Sequence, residues 1–261
     1  MSLSLATSIG AFLLLLGSAI LVAWIAFLIG RRLGAREARR EHAEQEGPVS
    51  SVVAATLAML AFTLAITFNL AHEKYNDRKH LVREDVKSIR SAYDRALLLP
   101  SEATEKAHAL LAEYAQIRAF DTFKEPDLPL EQVIRRSEVI QRKLWLQAVE
   151  YRGDPQIRFY LDALSTLANV HAERITMGAH DGVPLAVWIC LAVVTALGML
   201  AMGYQFGLAG SRRIWAMIPL VIAFCIVLCL AVDLDRPQQG ILRVDQGPMM
   251  RLAEELAVLR G

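Results

Sequence analysis

Cysteine is scarce: Cys190, Cys225 and Cys229 are the only three in 261 residues, and all fall inside apolar runs. Their spacing fits neither a disulfide framework nor a metal site, so they read as small apolar side chains. An excess of charge is missing too. Lys and Arg number 28 against 27 Asp and Glu, a formal net charge of +1. Phosphate backbones are bound by a basic surplus gathered on one surface, so nucleic acid is excluded as a partner. The chain has no Gly-rich phosphate loop, no Gly-x-Ser-x-Gly elbow, no His-Glu-x-x-His and no paired Cys-x-x-Cys, which argues against an enzyme. The histidines, His42, His72, His80, His108, His171 and His180, form no short ligand motif. His72 and His80 are too far apart on one helix to share a metal without partners, and His171 on an apolar stripe reads as a core residue. No strand alternation of useful length occurs, which leaves an all-α fold.

What the chain has is apolar residues in blocks. Four long uncharged runs stand out, Ile9 to Ile29, Val49 to Ala71, Gly182 to Ser211 and Ile214 to Val232. Each is long enough to cross a hydrocarbon core of about 30 Å as a helix. The third is expected to turn to water around "GYQFGLAGSRR". None of the runs carries a charge of the kind that marks ion-coupled transport. The leader "MSLSLATS" has no positive charge and the first run is longer than a signal core, so that run is expected to be a retained helix. Asp233 and Asp235 mark the fourth run leaving the membrane, and Pro237 stops it.

The loop "GRRLGAREARREHAEQEGP" carries five arginines, and Arg212 and Arg213 lie in the short loop before the fourth run. Short loops rich in Lys and Arg stay in the cytoplasm. This places both termini and the middle segment on the extracytoplasmic side of the inner cell membrane. Lys74, Arg78, Lys79, Arg83, Lys87 and Arg90 argue the other way, but they belong to a long segment, which counts for less in that rule.

The middle segment, His72 to Asp181, reads as helices throughout. Val82, Val86, Ile89, Tyr93 and Ala96 make one apolar stripe ended by Pro100, and no turn signal separates it from the second span, so one long helix is expected. A helix from Ser101 carries Leu110, Leu111, Tyr114 and Ile117. Beyond the Pro-broken "FKEPDLPLE", another carries Val133, Ile134, Ile140, Leu144 and Val149. In "RGDPQ", Asp154 is placed to cap a further helix with Pro155 at its first position; that helix presents Ile157, Tyr160, Leu161, Leu164, Leu167 and His171. "GPMMRLAEELAVLRG" can form one short amphipathic helix.

The segments "ITFNLA", "YNDRKHLVREDVKSIRSAYDRALLLP", "DGVPLAVW", "GYQFGLAGSRR" and "VDLDRPQQGILRV", in order from Ala65 to Met249, resemble the bacterial family of membrane proteins named for a bestrophin-like domain. The resemblance implies homopentameric anion channels with four membrane helices per subunit and a helical extramembrane domain. It also implies a pore lined by apolar and aromatic residues of the second span, which here holds Leu60, Phe62, Leu64 and Phe68. It further implies calcium at an acidic cluster just after the last membrane helix. Here Asp233 and Asp235 alone occupy that place, whereas calcium takes about six to eight oxygen ligands, so no cofactor is expected.

Thr56, Thr63 and Thr67 form a mildly polar stripe on the second span, and Asn69, His72 and Glu73 lie at its exit. With this stripe turned to an oligomer axis, Thr56, Leu60, Thr63, Thr67 and Asn69 are the candidate pore lining. The competing reading has the threonines bonding their own helix carbonyls and packing against neighbouring spans. Glu73, Lys74, Arg78, Lys79 and Arg83 are the candidate charged vestibule, or simply a solvated helix face. Asp233, Asp235 and Arg236 are candidates for structural ion pairs.

The expected architecture is therefore a multipass membrane protein. A first transmembrane hairpin spans residues 1–71, with spans at 9–29 and 49–71. An extramembrane helical bundle, 72–181, continues the second and third spans. A second hairpin follows over 182–232, with spans at 183–203 and 214–232, and then a tail, 233–261. The function read from it is an oligomeric anion-conducting channel with lipid, inorganic ions and further copies of itself as partners. The alternative is a membrane-anchored interaction or sensor module without a pore. The two differ in whether the threonine face lines an axis or packs within one subunit.

Overall fold

A computed structural model describes residues 2–39, 46–119, 130–179, 182–210, 214–236, 242 and 244–259. The expectations placed on Arg40, His42, His180, Arg212, Arg213, Pro237 and most of "FKEPDLPLE" lie outside these residues. Every regular element among the described residues is helical: α1 Ser2–Glu37, α2 Glu46–Arg95, α3 Ser101–Arg118, α4 Leu130–Glu150, α5 Ile157–Ala179, α6 Leu185–Leu208, α7 Ile218–Asp235 and α8 Gly247–Val258. Among the described residues, four segments are long and apolar enough to cross a membrane: Ile9–Glu37, Val49–Leu98, Leu185–Leu208 and Ile218–Asp235.

The chain divides into two compact units. One comprises Ala6–Lys74 and Gly182–Leu242, the other Met1–Leu5, Tyr75–Asp181 and Arg243–Gly261.

In the first unit, large apolar side chains face outward on all four spans. Leu14 and Val22 on α1, Leu185 and Ile189 on α6, and Ile226 on α7 are exposed, as a lipid-facing belt requires, and Met59 and Phe62 on α2 are exposed as well. Inside, α1 and α6 approach at glycine. A Cβ built on Gly203 would stand 2.8 Å from the Phe27 carbonyl carbon and 3.0 Å from the Arg31 nitrogen. Gly207 meets Arg31 and Ala35, Gly30 meets Leu200 and Tyr204, and Gly34 meets Tyr204 and Leu208, in each case backbone against bare Cα. Two Gly-x-x-x-Gly pairs thus face each other, the small-residue packing that replaces the hydrophobic drive inside lipid. The turn expected around "GYQFGLAGSRR" comes later than its first glycines. α6 passes the expected end at residue 203 and runs to Leu208, and Gly210, at φ 59°, makes the turn.

Three other boundaries differ from expectation. α5 and α6 are separate helices, because Pro184 has no N–H to continue α5 and stands as the N-cap of α6. α7 begins at Ile218 after a 3-10 turn over Ile214–Met217. α5 begins at Ile157, although Asp154 does accept the Gln156 N–H at 2.8 Å and so caps the turn that precedes it.

The second unit is a helical bundle. Ile89 and Ala92 of α2, with Ala96 just beyond its end, enter its core with Leu111 and Tyr114 of α3, Ile140 and Leu144 of α4, and Tyr160, Leu164 and Leu167 of α5. α2 runs unbroken from Glu46 to Arg95. It ends in a 3-10 turn, Ala96–Leu98, because Pro100 forces Leu99 into an extended conformation (φ −81°, ψ 160°). α8 is short enough to be marginal alone; it is held by burying Met249, Leu252, Ala253 and Leu256 in the same core, at roughly 1.5–3 kcal/mol for each large side chain.

Candidate functional site

The second span has two distinct faces. Val53, Leu60, Leu64, Thr67 and Ala71 recur at helical spacing and are buried within the subunit, with Thr56 and Thr63 half-buried beside them. Leu60 and Leu64 cluster with Leu191 of α6, flanked by Trp188, Phe224 and Leu228. Each threonine hydroxyl donates to a carbonyl of its own helix at 2.8 Å: Thr56 to Val52, Thr63 to Met59 and Thr67 to Thr63. This corrects the expected pore lining at Leu60 and Thr67, which have no exposed surface. A threonine back-bonded to its helix is a small, nearly apolar side chain that packs well against neighbours, so the polar stripe is the packing face.

The opposite row of α2 is the exposed one. Met59, Phe62 and Ile66 are 60%, 67% and 46% exposed, and at the same three-and-four spacing they lead to Asn69 and Glu73, both exposed. Asn69 Nδ2 donates to Glu73 Oε1 at 2.9 Å. Of the vestibule candidates, Glu73, Lys79 and Arg83 are exposed, Lys74 is half-buried, and Arg78 is buried. Burial takes Arg78 out of any charged surface that α2 presents.

At the end of α7 the two aspartates hold backbone. Asp235 Oδ1 accepts the Val183 N–H and Asp233 Oδ2 accepts the Leu242 N–H, each at 2.8 Å. They fasten the entry to α6 and the chain beyond α7. Arg236 is the C-cap of α7, its N–H bonded to the Asp233 carbonyl. Among the described residues no group of three or more His, Cys, Asp or Glu is placed to hold a metal ion.

A polar cluster inside the helical bundle, centred on Asp85, is one that the sequence alone does not single out. Asp85 is fully buried, and its Oδ2 accepts Arg118 Nε at 3.0 Å, Arg118 Nη2 at 2.8 Å and Arg174 Nη1 at 2.5 Å. Arg174 Nη2 also donates to Gln246 Oε1 at 2.8 Å, tying α5 to the start of α8. The signal was there in register. Asp85 shares a row with Leu81 and Ser88, Arg118 follows Leu111 and Tyr114, and Arg174 follows Leu167 and His171, so each charge ends or interrupts a buried stripe.

His171 lies beside this cluster. Gln141 Nε2 donates to the Tyr114 hydroxyl at 3.0 Å, and that hydroxyl is hydrogen-bonded to His171 Nδ1 at 3.2 Å. The His171 imidazole is buried. Burial lowers its pKa from 6.5 to about 4, helped by the Arg118 and Arg174 guanidiniums and opposed by Asp85. An unfolded chain takes up this proton as pH falls through 6.5, and the folded chain does not until about 4. The stabilisation is thus complete above about 6.5 and is lost as pH drops towards 4, by roughly 3 kcal/mol in all. Thermal unfolding of the purified protein should show that acid slope, and His171→Gln should flatten it.

The fold and its apolar belt define an all-helical multipass membrane protein. Residues 17–249 match the family model of the Bestrophin-like domain, and the chain belongs to that family. Crystal structures of two point variants of a bacterial bestrophin homologue from Klebsiella pneumoniae are similar to it. One is 18% identical over 96% of this chain and 99% of that one, with a TM-score of 0.63. The other is 17% identical over the same shares, with a TM-score of 0.66. A crystal structure described as a membrane protein variant is 16% identical over 96% and 99%, with a TM-score of 0.61. At such identities the similarity is one of fold. Comparison with curated proteins gives no match.

Proposed function

We propose that the protein is an oligomeric ion channel whose path runs along the outer row of α2, through Met59, Phe62 and Ile66 to Asn69. The observation that carries this reading is that row itself. It is unpartnered within the subunit and begins with large apolar side chains. It ends in an amide bonded to a carboxylate, groups that are costly against lipid and at home beside water. Copies arranged around an axis with this row inward would make an apolar constriction opening onto a polar mouth. By family resemblance the number of copies is five.

In this reading α1 with α2 and α6 with α7 form two membrane hairpins in the inner membrane. The bundle of α3, α4, α5, α8 and the second half of α2 stands outside the bilayer, on the extracytoplasmic side by the loop arginines. Anion conduction rests on the family resemblance and on the basic run from Lys74 to Arg83, of which Arg78 is buried.

Purified protein in planar bilayers should conduct, and Phe62→Ala should raise the unitary conductance by widening the constriction. Thr67→Val, which keeps the shape of a packed side chain, should leave it unchanged. Silence across a range of pH, calcium and voltage would leave the reading of a membrane-anchored interaction or sensor module without a pore.

A further inference from the structure

We infer that the outer row of α1 binds an anionic phospholipid, with acyl chain along Leu14, Leu21 and Ile25 and headgroup phosphate held by Arg32, Arg36 and Arg39. The site needs only that the first unit lie in a bilayer, and it is independent of conduction. Spacings of three, four and seven residues keep these six positions on one side of the helix, with Arg39 in the turn that closes it. All six are exposed. At about 100° per residue, that side lies about 120° or more round from Gly30 and Gly34, the residues that meet α6. The row therefore faces away from α6.

Arg32, Arg36 and Arg39 make no hydrogen bond or ion pair among the described residues. Glu37, the one acid of α1, points about 100° or more away from each of them. Three guanidiniums on one face with no counter-charge repel one another. A phosphate supplies the missing anion and matches the paired N–H donors of arginine in geometry. The three span about 10 Å along the axis at 1.5 Å per residue, the scale of a single phospholipid headgroup.

Two observations make that anion a lipid's. The row ahead of the arginines is apolar and open, with Leu14, Leu21 and Ile25 at 76%, 58% and 47% exposed, so a chain can lie along it while its headgroup reaches the cations. This end of the unit also carries the mark of a membrane surface. Gly207 in the last turn of α6 packs on Arg31 and Ala35, Gly210 turns the chain, and Trp215 stands in the 3-10 turn before α7, 80% exposed. Exposed tryptophan belongs at headgroup level, where its ring meets hydrocarbon and its N–H meets water. Clustered arginines at that level attract anionic lipid.

Titration of the detergent-purified full chain with phospholipid, read by native mass spectrometry, tests the site. Phosphatidylglycerol should bind more tightly than phosphatidylcholine. Glycerophosphoglycerol, the same headgroup without acyl chains, should not compete. Each of Arg32→Gln, Arg36→Gln and Arg39→Gln should weaken phosphatidylglycerol about fivefold, the equivalent of the roughly 1 kcal/mol that a basic residue contributes near an anionic surface, and leave phosphatidylcholine unchanged. Lys143→Gln, at an exposed cation of the helical bundle, should alter neither. Equal affinity of the wild type for the two lipids would overturn the site without recourse to any variant, and so would a full preference kept by all three arginine variants. Competition by glycerophosphoglycerol as strong as that by the lipid would overturn the lipid in favour of a free phosphate ester.

Discussion

Gly203→Ala is expected to destroy the folded membrane unit, whereas Gly17→Ala should leave it intact or slightly firmer. The added methyl at residue 203 would lie 2.8 Å from the carbonyl carbon of Phe27, closer than two carbon atoms tolerate, and what it meets is backbone, which has no rotamer to change. Relief comes only by moving α1 and α6 apart. That movement would open the contacts at Gly30, Gly34 and Gly207 together, because the four glycines share one seam. Overpacking typically costs about 1–3 kcal/mol, and a rigid seam belongs at or above the top of that range. Gly17 has nothing within 4 Å of a built Cβ, so alanine there gains the roughly 0.5–1 kcal/mol that it holds over glycine inside a helix. Thermal stability in detergent, read by size-exclusion recovery after heating, separates the two. Equal recovery for both variants would mean that the seam does not hold the spans together.

Asp85→Asn should be the most damaging substitution in the helical bundle, and Arg174→Met should cost clearly less. Asp85 is the one carboxylate between two guanidiniums, with Arg118 7% and Arg174 18% exposed. Burial and the neighbouring Arg118 already pull the pKa of Arg174 down, and Asp85 opposes both. Neutralising the aspartate leaves two like charges in the core with no counter-charge. Removing one partner of a buried pair costs about 3–5 kcal/mol, and here the survivors also repel each other. Removing Arg174 instead leaves Asp85 and Arg118 as a neutral pair bonded through Nε and Nη2, with the loss confined to one contact and the link to Gln246. The expected order of melting temperature is wild type, then Arg174→Met, then Arg118→Met, with Asp85→Asn lowest. An Asp85→Asn protein that melts with the wild type would show the cluster to be structurally idle.

Much of the architecture was legible because it depends on local composition and period. The four spans follow from uncharged length. The stripe at Val82, Val86, Ile89, Tyr93 and Ala96 follows from the helical repeat, and Pro100 punctuates the chain by its geometry. The expected start of α6 and the turn after it were less accurate, since Pro184 breaks what looked continuous and Gly203 and Gly207 serve close approach instead of a turn. The candidate path was legible as a helix and misread as a face. Threonine looks polar in a sequence but can satisfy itself on its own backbone, so its position does not reveal whether a face meets water or a neighbouring helix.

The sequence by itself determined that this chain is all-helical, that four of its segments belong in a membrane, and that Asn69 and Glu73 stand where the second span ends. These are consequences of hydrophobic length and helical repeat, which each segment carries alone. Only the tertiary structure decided that Leu60 and Thr67 are packed, that Met59, Phe62 and Ile66 are exposed, and that Asp85 is shared by two arginines from other helices. Those facts depend on which helix lies against which, and burial is a property of neighbours that no single segment encodes.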